Sequence, residues 1–417
     1  SIFKRFLKNK VVFGTRVENP FKAPSAGICL YLGETVTSKL PVYLPEKSLW
    51  QNILVTGTIG TGKTSSSMYP FAKQLIAYMS DSDDEKLGML ILDVKGNFYK
   101  QVVAYAKELN RLDDLYVIEL GGTIKYNPLD NPNLKPSVLA NRLKTILTLF
   151  SPNNSESYWL DKAEEVLSEA IKLCRLYNNN YVTFTEIHKL INSPNYYNEK
   201  VLVLKDLFRS GVLSSSQIYD LHSALTFFEN EFKSLDSRVL SILKSEICRM
   251  TNIFMSDYDI QKTFCPEQKD VSFAGFKEVL EQGKIVVLIS IYKNLSKLIA
   301  AYLKLDFQAE VLSQLSTNNV KPSAFICDEF HEYVTATDSN FFAQSREAKC
   351  INIVATQSYT SLLNSLKDQY STKSIIQNLI NKLWYRTDDV FTIEDAQKQI
   401  GREDKTKISK SISENAQ

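Results

Sequence analysis

The chain has 417 residues, 44% hydrophobic and 23% charged, which is the composition of an ordinary globular protein and excludes a disordered or fibrous chain. This length exceeds what one simple core accommodates, so we expect two domains. The formal net charge is only +2, so any DNA contact must come from local patches. Six scattered cysteines without a CxxC pair, and three isolated histidines, argue against disulfides and zinc and are typical of a reducing compartment.

The N-terminal segment is basic: Lys4, Arg5, Lys8, Lys10 and Arg16 precede the first acidic residue, Glu18. One interpretation is a solvated tail. The other is a juxtamembrane cytoplasmic segment whose membrane helices have been removed. The sequence contains neither an apolar run long enough to span a bilayer nor a signal-peptide pattern.

Seven short apolar runs, most of them ending in a turn or polar residue, predict β-strands. Runs that are apolar on both faces and separated by helical stretches indicate a buried, mostly parallel sheet, and therefore an α/β fold. In chain order the runs are Asn52–Thr56, Met89–Leu92, Leu115–Ile118, Ile285–Ile291, Ala324–Cys327, Ile351–Ala355 and Leu383–Tyr385.

The strand series is interrupted between about Asn131 and Ser272, where only helical periodicity is found. Leu139, Leu143 and Ile146 share one apolar helical face, and three similar stripes follow. We therefore predict an all-α domain over residues 131–272, inserted into a discontinuous nucleotide-binding domain formed by residues 1–130 and 273–417.

The first predicted strand of the series runs into a glycine-rich turn that matches G-x-x-x-x-G-K-[ST], followed by an amphipathic helix. The glycines allow the backbone to approach phosphates, and successive N–H groups with the helix N-terminus face the anion. Lys63 supplies positive charge to the β- and γ-phosphates, and Thr64 supplies a hydroxyl to Mg²⁺. The sequence thus predicts a site for ATP with Mg²⁺, and a chance glycine turn is the rejected alternative. The predicted binding residues are Gly57, Thr58, Ile59, Gly60, Thr61, Gly62, Lys63, Thr64 and Ser65.

A P-loop also requires an acidic residue at the end of another strand, and Asp328 follows the run Ala324–Cys327. We predict Asp328 as the second Mg²⁺-holding side chain and Glu329 as the catalytic residue that polarises the attacking water. The alternative is that both merely end a strand and enter a loop. His331 is interpreted as a structural or solvated loop histidine.

Two further polar residues are candidate catalytic groups beside this site. Gln357 ends the run after the Asp328 strand and is placed either to sense the γ-phosphate or to bond a neighbouring loop. Arg346 precedes the same run and is either a surface arginine or an arginine finger acting on a neighbouring subunit's nucleotide, an effect of roughly 10³–10⁵ in rate where it operates.

The segment after the second strand, Asp93-Val-Lys-Gly, ends at the sheet edge where open α/β folds bind ligands. Asp93, Lys95 and Gly96 are therefore candidate neighbours of the nucleotide, with an ordinary polar turn as the alternative.

Together these motifs resemble the type IV coupling proteins of bacterial conjugation and secretion. The matching segments are GTIGTGKT, DVKGNF, YNPL before a helical insertion, YWLDKA within it, ICDEF, SREAKCINIVATQS and NKLWYRTDD followed by Ile400-Gly. GKT and DE fit many ATPases, whereas DVKG, YNPL and the REA…ATQS block in this order are much more specific. The resemblance extends from Asn52 over most of the chain.

The resemblance implies a RecA-like P-loop ATPase that forms a homohexameric ring, with Arg346 acting in trans. It implies a location at the cytoplasmic face of the bacterial inner membrane, held there by an N-terminal anchor that this chain does not include. A naturally anchor-free member is the alternative. The implied partners are single-stranded DNA with its relaxase, or protein effectors, and components of the type IV secretion channel.

Two other functions stay open. The first is a substrate receptor in which ATP binding only orders the ring. The second is a chromosome-type translocase of double-stranded DNA, against which the inserted helical domain argues. For any of these, DNA binding should be driven by phosphate contacts and therefore depend strongly on salt.

Overall fold

The computed structural model describes residues 19–150, 156–289 and 293–401. The basic N-terminal segment, the last dozen residues and the end of the predicted run Ile285–Ile291 lie outside these ranges. In the described part of the chain, no helix combines the length and apolarity needed to cross a bilayer.

The centre of the fold is a seven-stranded sheet in which all six strand pairings are parallel. Its strand order is β5-β6-β4-β7-β8-β3-β9, and a separate antiparallel hairpin of β1 and β2 precedes it. The strands are β1 (Leu30–Glu34), β2 (Pro41–Leu44), β3 (Ile53–Thr56), β4 (Gly88–Leu92), β5 (Leu115–Ile118), β6 (Ile285–Leu288), β7 (Ser323–Cys327), β8 (Cys350–Thr356) and β9 (Asn381–Trp384). The predicted α/β class with a mostly parallel sheet is confirmed.

Helices connect the strands, as parallel pairing requires. They are α1 (Glu46–Leu49), α2 (Tyr69–Ala77), α3 (Phe98–Glu108), α4 (Pro136–Phe150), α5 (Ser157–Tyr177), α6 (Phe184–Asn192), α7 (Pro194–Arg209), α8 (Ser215–Thr226), α9 (Ser237–Met255), α10 (Tyr258–Phe264), α11 (Phe276–Gln282), α12 (Lys293–Ser313), α13 (Thr337–Gln344), α14 (Tyr359–Leu366), α15 (Gln369–Asn378) and α16 (Val390–Ile400). Single π-helical turns, Thr64–Met68 and Phe227–Phe232, precede α2 and follow α8.

The five inner strands of the sheet, β6, β4, β7, β8 and β3, are buried on both faces, which explains their continuous apolar sequences. Ile53, Val55 and Ile91 pack on one face, with α2, α3 and the β1–β2 hairpin. Leu54, Leu90 and their counterparts in neighbouring strands pack on the other, in a core continuous with the helices between β5 and β6. Helices and no strand occur in the described residues between β5 and β6. The helical region therefore shares a core with the sheet, and its division into a separate domain at residues 131–272 stays a prediction.

Strand register places the ends of four neighbouring strands at one edge. Thr56 pairs with Thr356, and Leu92 pairs with Cys327. The residues that follow these strands, Gly57, Gln357, Asp93 and Asp328, therefore emerge side by side at the carboxyl edge of the sheet. This edge is where open parallel sheets bind ligands.

Candidate functional site

The glycine-rich turn between β3 and the helix beginning at Thr64 has a backbone that requires glycine. Gly60 and Gly62 have φ angles of +79° and +92°, in the left-handed region that side chains disfavour. At Gly57, a Cβ atom would lie 2.4 Å from Cβ of Tyr385, which follows β9. Gly57 therefore has no room for a side chain, and Gly60 and Gly62 provide backbone conformations that other residues disfavour.

Lys63 lies inside this turn and is only 6% exposed. Its Nζ donates hydrogen bonds to the carbonyl oxygens of Gly57, at 2.5 Å, and Thr58, at 3.2 Å. Burial lowers the pKa of Lys63, and the nearby Glu329 and Asp328 carboxylates oppose that shift. The result is a desolvated ammonium group at the centre of the P-loop, placed to exchange carbonyl partners for phosphate oxygens.

The remaining P-loop positions divide into two groups. Thr61 Oγ1 donates to the carbonyl of Thr58 at 2.7 Å, and Ser65 Oγ to that of Gly62 at 3.4 Å, so these hydroxyls stabilise the turn. Thr58 donates from its backbone to the carbonyl of Arg386, just beyond β9, and Ile59 is exposed. The contacts of these four residues with a nucleotide stay predictions. Such contacts would be made by the backbone N–H groups of the turn.

The P-loop and the acidic end of β7 are joined directly. Thr64 Oγ1 donates to Oδ2 of Asp328 at 2.7 Å, and the backbone N–H of Glu329 donates to Asp328 Oδ1 at 2.9 Å. Burial raises the pKa of Asp328, while the Thr64 hydrogen bond opposes the shift. A divalent cation between this hydroxyl and this carboxylate would favour the charged form, and oxygen ligands of this kind suit Mg²⁺. The residues present therefore fit the predicted metal.

Glu329 has a left-handed backbone, with φ 52° and ψ 47°, which costs a residue other than glycine about 1–2 kcal/mol. Strained conformations of this kind concentrate at functional sites. Its Oε2 lies 3.2 Å from His331 Nε2 and 3.4 Å from Gln357 Nε2, while Oε1 lies 3.9 Å from Lys95 Nζ. Three side chains from three loops therefore face the predicted catalytic carboxylate.

Gln357 is connected to both halves of the site. Its side chain reaches Glu329, and its backbone carbonyl accepts a hydrogen bond from the N–H of Gly57 at 3.2 Å. This geometry places Gln357 between the P-loop and the predicted water-polarising residue. It therefore bonds neighbouring loops, as one of the two sequence interpretations expected, and its role as a γ-phosphate sensor stays a prediction.

Asp93 organises the loop after β4. It is 7% exposed and its carboxylate accepts hydrogen bonds from the backbone N–H groups of Lys95, Asn97 and Phe98, each at 3.0 Å. This capping of the α3 N-terminus fixes the loop that carries Lys95 toward Glu329. Asp93 therefore stabilises the loop at the edge of the site, and Lys95 is the residue of this loop whose side chain approaches Glu329.

Within one chain, Arg346 lies far from the other candidate catalytic residues. It is exposed and precedes β8, whereas the P-loop and Gln357 follow the parallel strands β3 and β8. The length of β8, about 20 Å at roughly 3.3 Å per residue, separates the two edges. Arg346 therefore contacts no nucleotide bound at this P-loop, and its action on a neighbouring subunit stays a prediction.

The sequence interpretation missed two contributions to the site. The structural interpretation of His331 named no partner, and its Nε2 lies 3.2 Å from Glu329 Oε2. Tyr385, after β9, shares a hydrogen bond with Ser67 Oγ at 2.6 Å and packs on Gly57. A signal for Tyr385 was present, since it lies in the NKLWYRTDD segment and follows a strand that neighbours β3. No spacing rule indicated His331, because its contact depends on the tight turn after β7.

Comparison with known proteins identifies a family region in the C-terminal part of the chain. Residues 322–417, which include β7, Asp328 and Gln357, match the family model described as the TraM recognition site of TraD and TraG. No curated protein sequence matches the chain.

Solved structures of similar fold include nucleotide-binding coupling proteins. The plasmid coupling protein TrwB in complex with ADP and Mg²⁺ is 14% identical, with a TM-score of 0.58 over 88% of this chain and 78% of that one. An unbound form of TrwB is 13% identical, with a TM-score of 0.56 over 88% and 76%. VirB4 of Thermoanaerobacter pseudethanolicus is 15% identical, with a TM-score of 0.54 over 91% and 88%.

These comparisons confirm the resemblance that the motifs indicated. The helix-rich α/β architecture extends over most of the chain in these structures, and the family match covers the part that carries Asp328 and Glu329. The chain thus has the fold of the conjugative coupling proteins, and its residues 322–417 carry the TraD and TraG family region.

Proposed function

We propose that the chain is a Mg²⁺-dependent ATPase that acts as a coupling protein, driving transfer of DNA or protein substrates into a type IV secretion channel. The hydrogen bond between Thr64 and Asp328 carries the ATPase part, because it joins a P-loop hydroxyl to a buried strand-end carboxylate. The TraD and TraG family region and the TrwB-like fold support the coupling part.

In the proposed reaction, Thr64 and Asp328 would hold Mg²⁺, which would supply positive charge next to the phosphates. Lys63 leaves the carbonyls of Gly57 and Thr58 and contacts the same phosphates, with the N–H groups of the P-loop around it. In phosphoryl transfer, most of the rate enhancement comes from positioning and electrostatic stabilisation of the phosphates. A P-loop fixed in one conformation would therefore contribute to the rate.

Glu329 is the proposed group that orients and polarises the attacking water and takes up its proton. Its carboxylate is 10% exposed and lies beside Gln357, which senses the γ-phosphate. A positioned general base contributes about 10²–10⁴ in rate. Lys95 Nζ, 3.9 Å from Oε1, adds positive charge beside this carboxylate.

Assembly and partners follow from the resemblance and the family region. We propose a homohexameric ring in which Arg346, exposed at the far sheet edge, reaches the nucleotide of the next subunit. The ring would recruit single-stranded DNA with its relaxase at the cytoplasmic face of the inner membrane. The family region's description as a TraM recognition site supports a protein-recognition role for residues 322–417.

The test is conjugative transfer from donor cells in which the native chain is replaced by Lys63→Ala or Glu329→Gln. Lys63→Ala should abolish transfer because nucleotide binding is lost. Glu329→Gln should bind ATP and still abolish transfer, because hydrolysis drives the process. Lys73→Ala, which changes a lysine of α2 outside the P-loop, is the control and should transfer normally.

A second candidate function is a substrate receptor in which ATP binding only orders the ring. The family match to a protein-recognition site favours it. Transfer that survives Glu329→Gln but not Lys63→Ala would establish the receptor and overturn the motor. Directional movement on duplex DNA by the purified chain would instead favour a double-strand translocase.

A further inference from the structure

His331 is held on both ring nitrogens, between the proposed catalytic glutamate and the end of β8. Its Nε2 lies 3.2 Å from Glu329 Oε2, and its Nδ1 lies 2.9 Å from Oγ1 of Thr356. The backbone is fixed as well, since Ser365 of α14 donates to the His331 carbonyl at 2.6 Å. A second carboxylate oxygen, on Glu332, is 3.8 Å from Nε2, beyond hydrogen-bond distance.

The partners determine which nitrogen carries the hydrogen. A carboxylate carries no hydrogen, so the 3.2 Å contact with Glu329 is attractive only when Nε2 carries the ring hydrogen. In the neutral ring Nδ1 then accepts from the Thr356 hydroxyl, which sets the tautomer. Thr356 and Glu329 therefore lie at opposite nitrogens of the His331 ring, with a hydrogen bond at Nδ1 and a close polar contact at Nε2.

The far end of this arrangement, Thr356, is tied to the nucleotide-binding strand. Thr356 pairs in register with Thr56, the last residue before the P-loop, and the next residue, Gln357, accepts a hydrogen bond from Gly57 N–H. At the near end, Glu329 has a left-handed backbone, and His331, Gln357 and Lys95 surround its carboxylate. The contacts of these side chains restrict the orientation of the carboxylate.

We infer that His331 is a positioning residue for Glu329: it holds Oε2 so that Oε1 faces the attacking water. The inference rests on the proposed ATP hydrolysis with Glu329 as the base. Gln357 donates a hydrogen bond to the same Oε2 at 3.4 Å, and His331 Nε2 lies closer to that oxygen, at 3.2 Å. Loss of the histidine lowers turnover without affecting nucleotide binding, because its side-chain polar partners among the described residues, Glu329, Glu332 and Thr356, lie outside the P-loop.

Two amide substitutions of His331 test the roles of its two ring nitrogens separately. Counted in bonds from Cα, the amide nitrogen of Asn reaches as far as Nδ1, and that of Gln reaches as far as Nε2. H331Q therefore keeps a donor for Glu329, and H331N keeps only a group near Thr356. We expect kcat of H331N to fall about tenfold or more, because a mispositioned general base loses part of its contribution to the rate. The kcat of H331Q should stay within about threefold of wild type. KM for ATP should be unchanged in both.

The experiment measures steady-state ATP hydrolysis and binding of a fluorescent ADP analogue for wild type, H331N, H331Q and Glu329→Gln. H331N with wild-type kcat, or H331Q reduced as far as H331N, overturns the inference. If H331N does not fold, Thr356→Val provides a second test. This substitution should lower kcat in the wild-type background and leave kcat unchanged in the H331Q background. An equal decrease in kcat in both backgrounds contradicts the inference. A Glu329→Gln variant as active as wild type overturns the proposed function instead, so the two failures are distinguishable.

Discussion

Thr64 and Asp328 are hydrogen-bonded at 2.7 Å although 264 positions separate them in sequence. Thr64 follows β3 and Asp328 follows β7, and β8 lies between these two strands. The hydroxyl therefore reaches across the end of β8 to a buried carboxylate. This contact connects the phosphate-binding turn to the acidic strand end and specifies where a cation would bind.

Removing the Thr64 hydroxyl should weaken binding of the Mg²⁺-nucleotide complex. We expect Thr64→Val to raise the Mg²⁺ concentration for half-maximal nucleotide binding about tenfold or more, because a hydrogen bond to a charged group contributes about 1.5–3 kcal/mol. Thr64→Ser keeps the hydroxyl and should stay within about threefold of wild type. Titration of Mg²⁺ at fixed nucleotide, followed by fluorescence, measures both, and equal behaviour of Val and Ser would contradict the assignment.

The buried pair Lys304–Asp338 should be essential for stability. Both side chains are fully buried, and Lys304 Nζ also donates to the carbonyl of Tyr333, in the segment that follows Glu329. Lys304→Met leaves an unpaired buried carboxylate, and we expect a loss of about 3–5 kcal/mol in the free energy of unfolding. The double variant Lys304→Met/Asp338→Asn should recover part of that loss.

Denaturant unfolding tests this prediction, with the exposed pair Lys233–Glu229 as the control. Lys233→Met should cost less than about 1 kcal/mol, since exposed ion pairs contribute little. A similar cost for Lys304→Met and Lys233→Met would show that the buried pair does not stabilise the fold in this way.

Glu186, in α6, should make stability depend on pH. Burial raises the pKa of Glu186 to about 7, partly opposed by Lys200 and Lys189. The folded state then binds a proton more tightly than the unfolded state, so this group's contribution falls as pH rises from about 4.5 to about 7. Above about pH 8 the loss is complete, and it is on the order of 3 kcal/mol.

Glu186→Gln should remove this dependence and make the protein more stable than wild type at pH 8, but not at pH 5. The measurement is the unfolding free energy at both values, with the exposed Glu199→Gln as the control. An identical pH dependence for wild type and Glu186→Gln would contradict the predicted effect of burial.

Much of the fold followed from apolar runs, because a parallel sheet buried on both faces leaves a strong signal. The run Leu115–Ile118 coincides with β5, and Leu383–Tyr385 overlaps β9, which is Asn381–Trp384. The β1–β2 hairpin was missed, since its strands are short and partly exposed and a bulge between Tyr31 and Gly33 breaks their alternation.

The site was predictable where local motifs specify it and not where tertiary contacts do. The motifs identified Lys63, Thr64 and Asp328, and the structure brings these three together. They gave no indication of the contact between His331 and Glu329. The same limit applies to Arg111, a fully buried arginine whose Nε donates to Asp114 and which binds the carbonyls of Ile76 and Leu87. Such contacts depend on which loops meet, and periodicity does not encode that.

The most direct test of the ATPase claim is phosphate release under saturating Mg²⁺-ATP by wild type and Glu329→Gln, with ATP binding measured on the same samples. We predict that Glu329→Gln binds ATP within about threefold of wild type and hydrolyses it at least about a hundredfold more slowly, as expected for loss of a positioned general base. Hydrolysis by Glu329→Gln at the wild-type rate would contradict the assignment of this site.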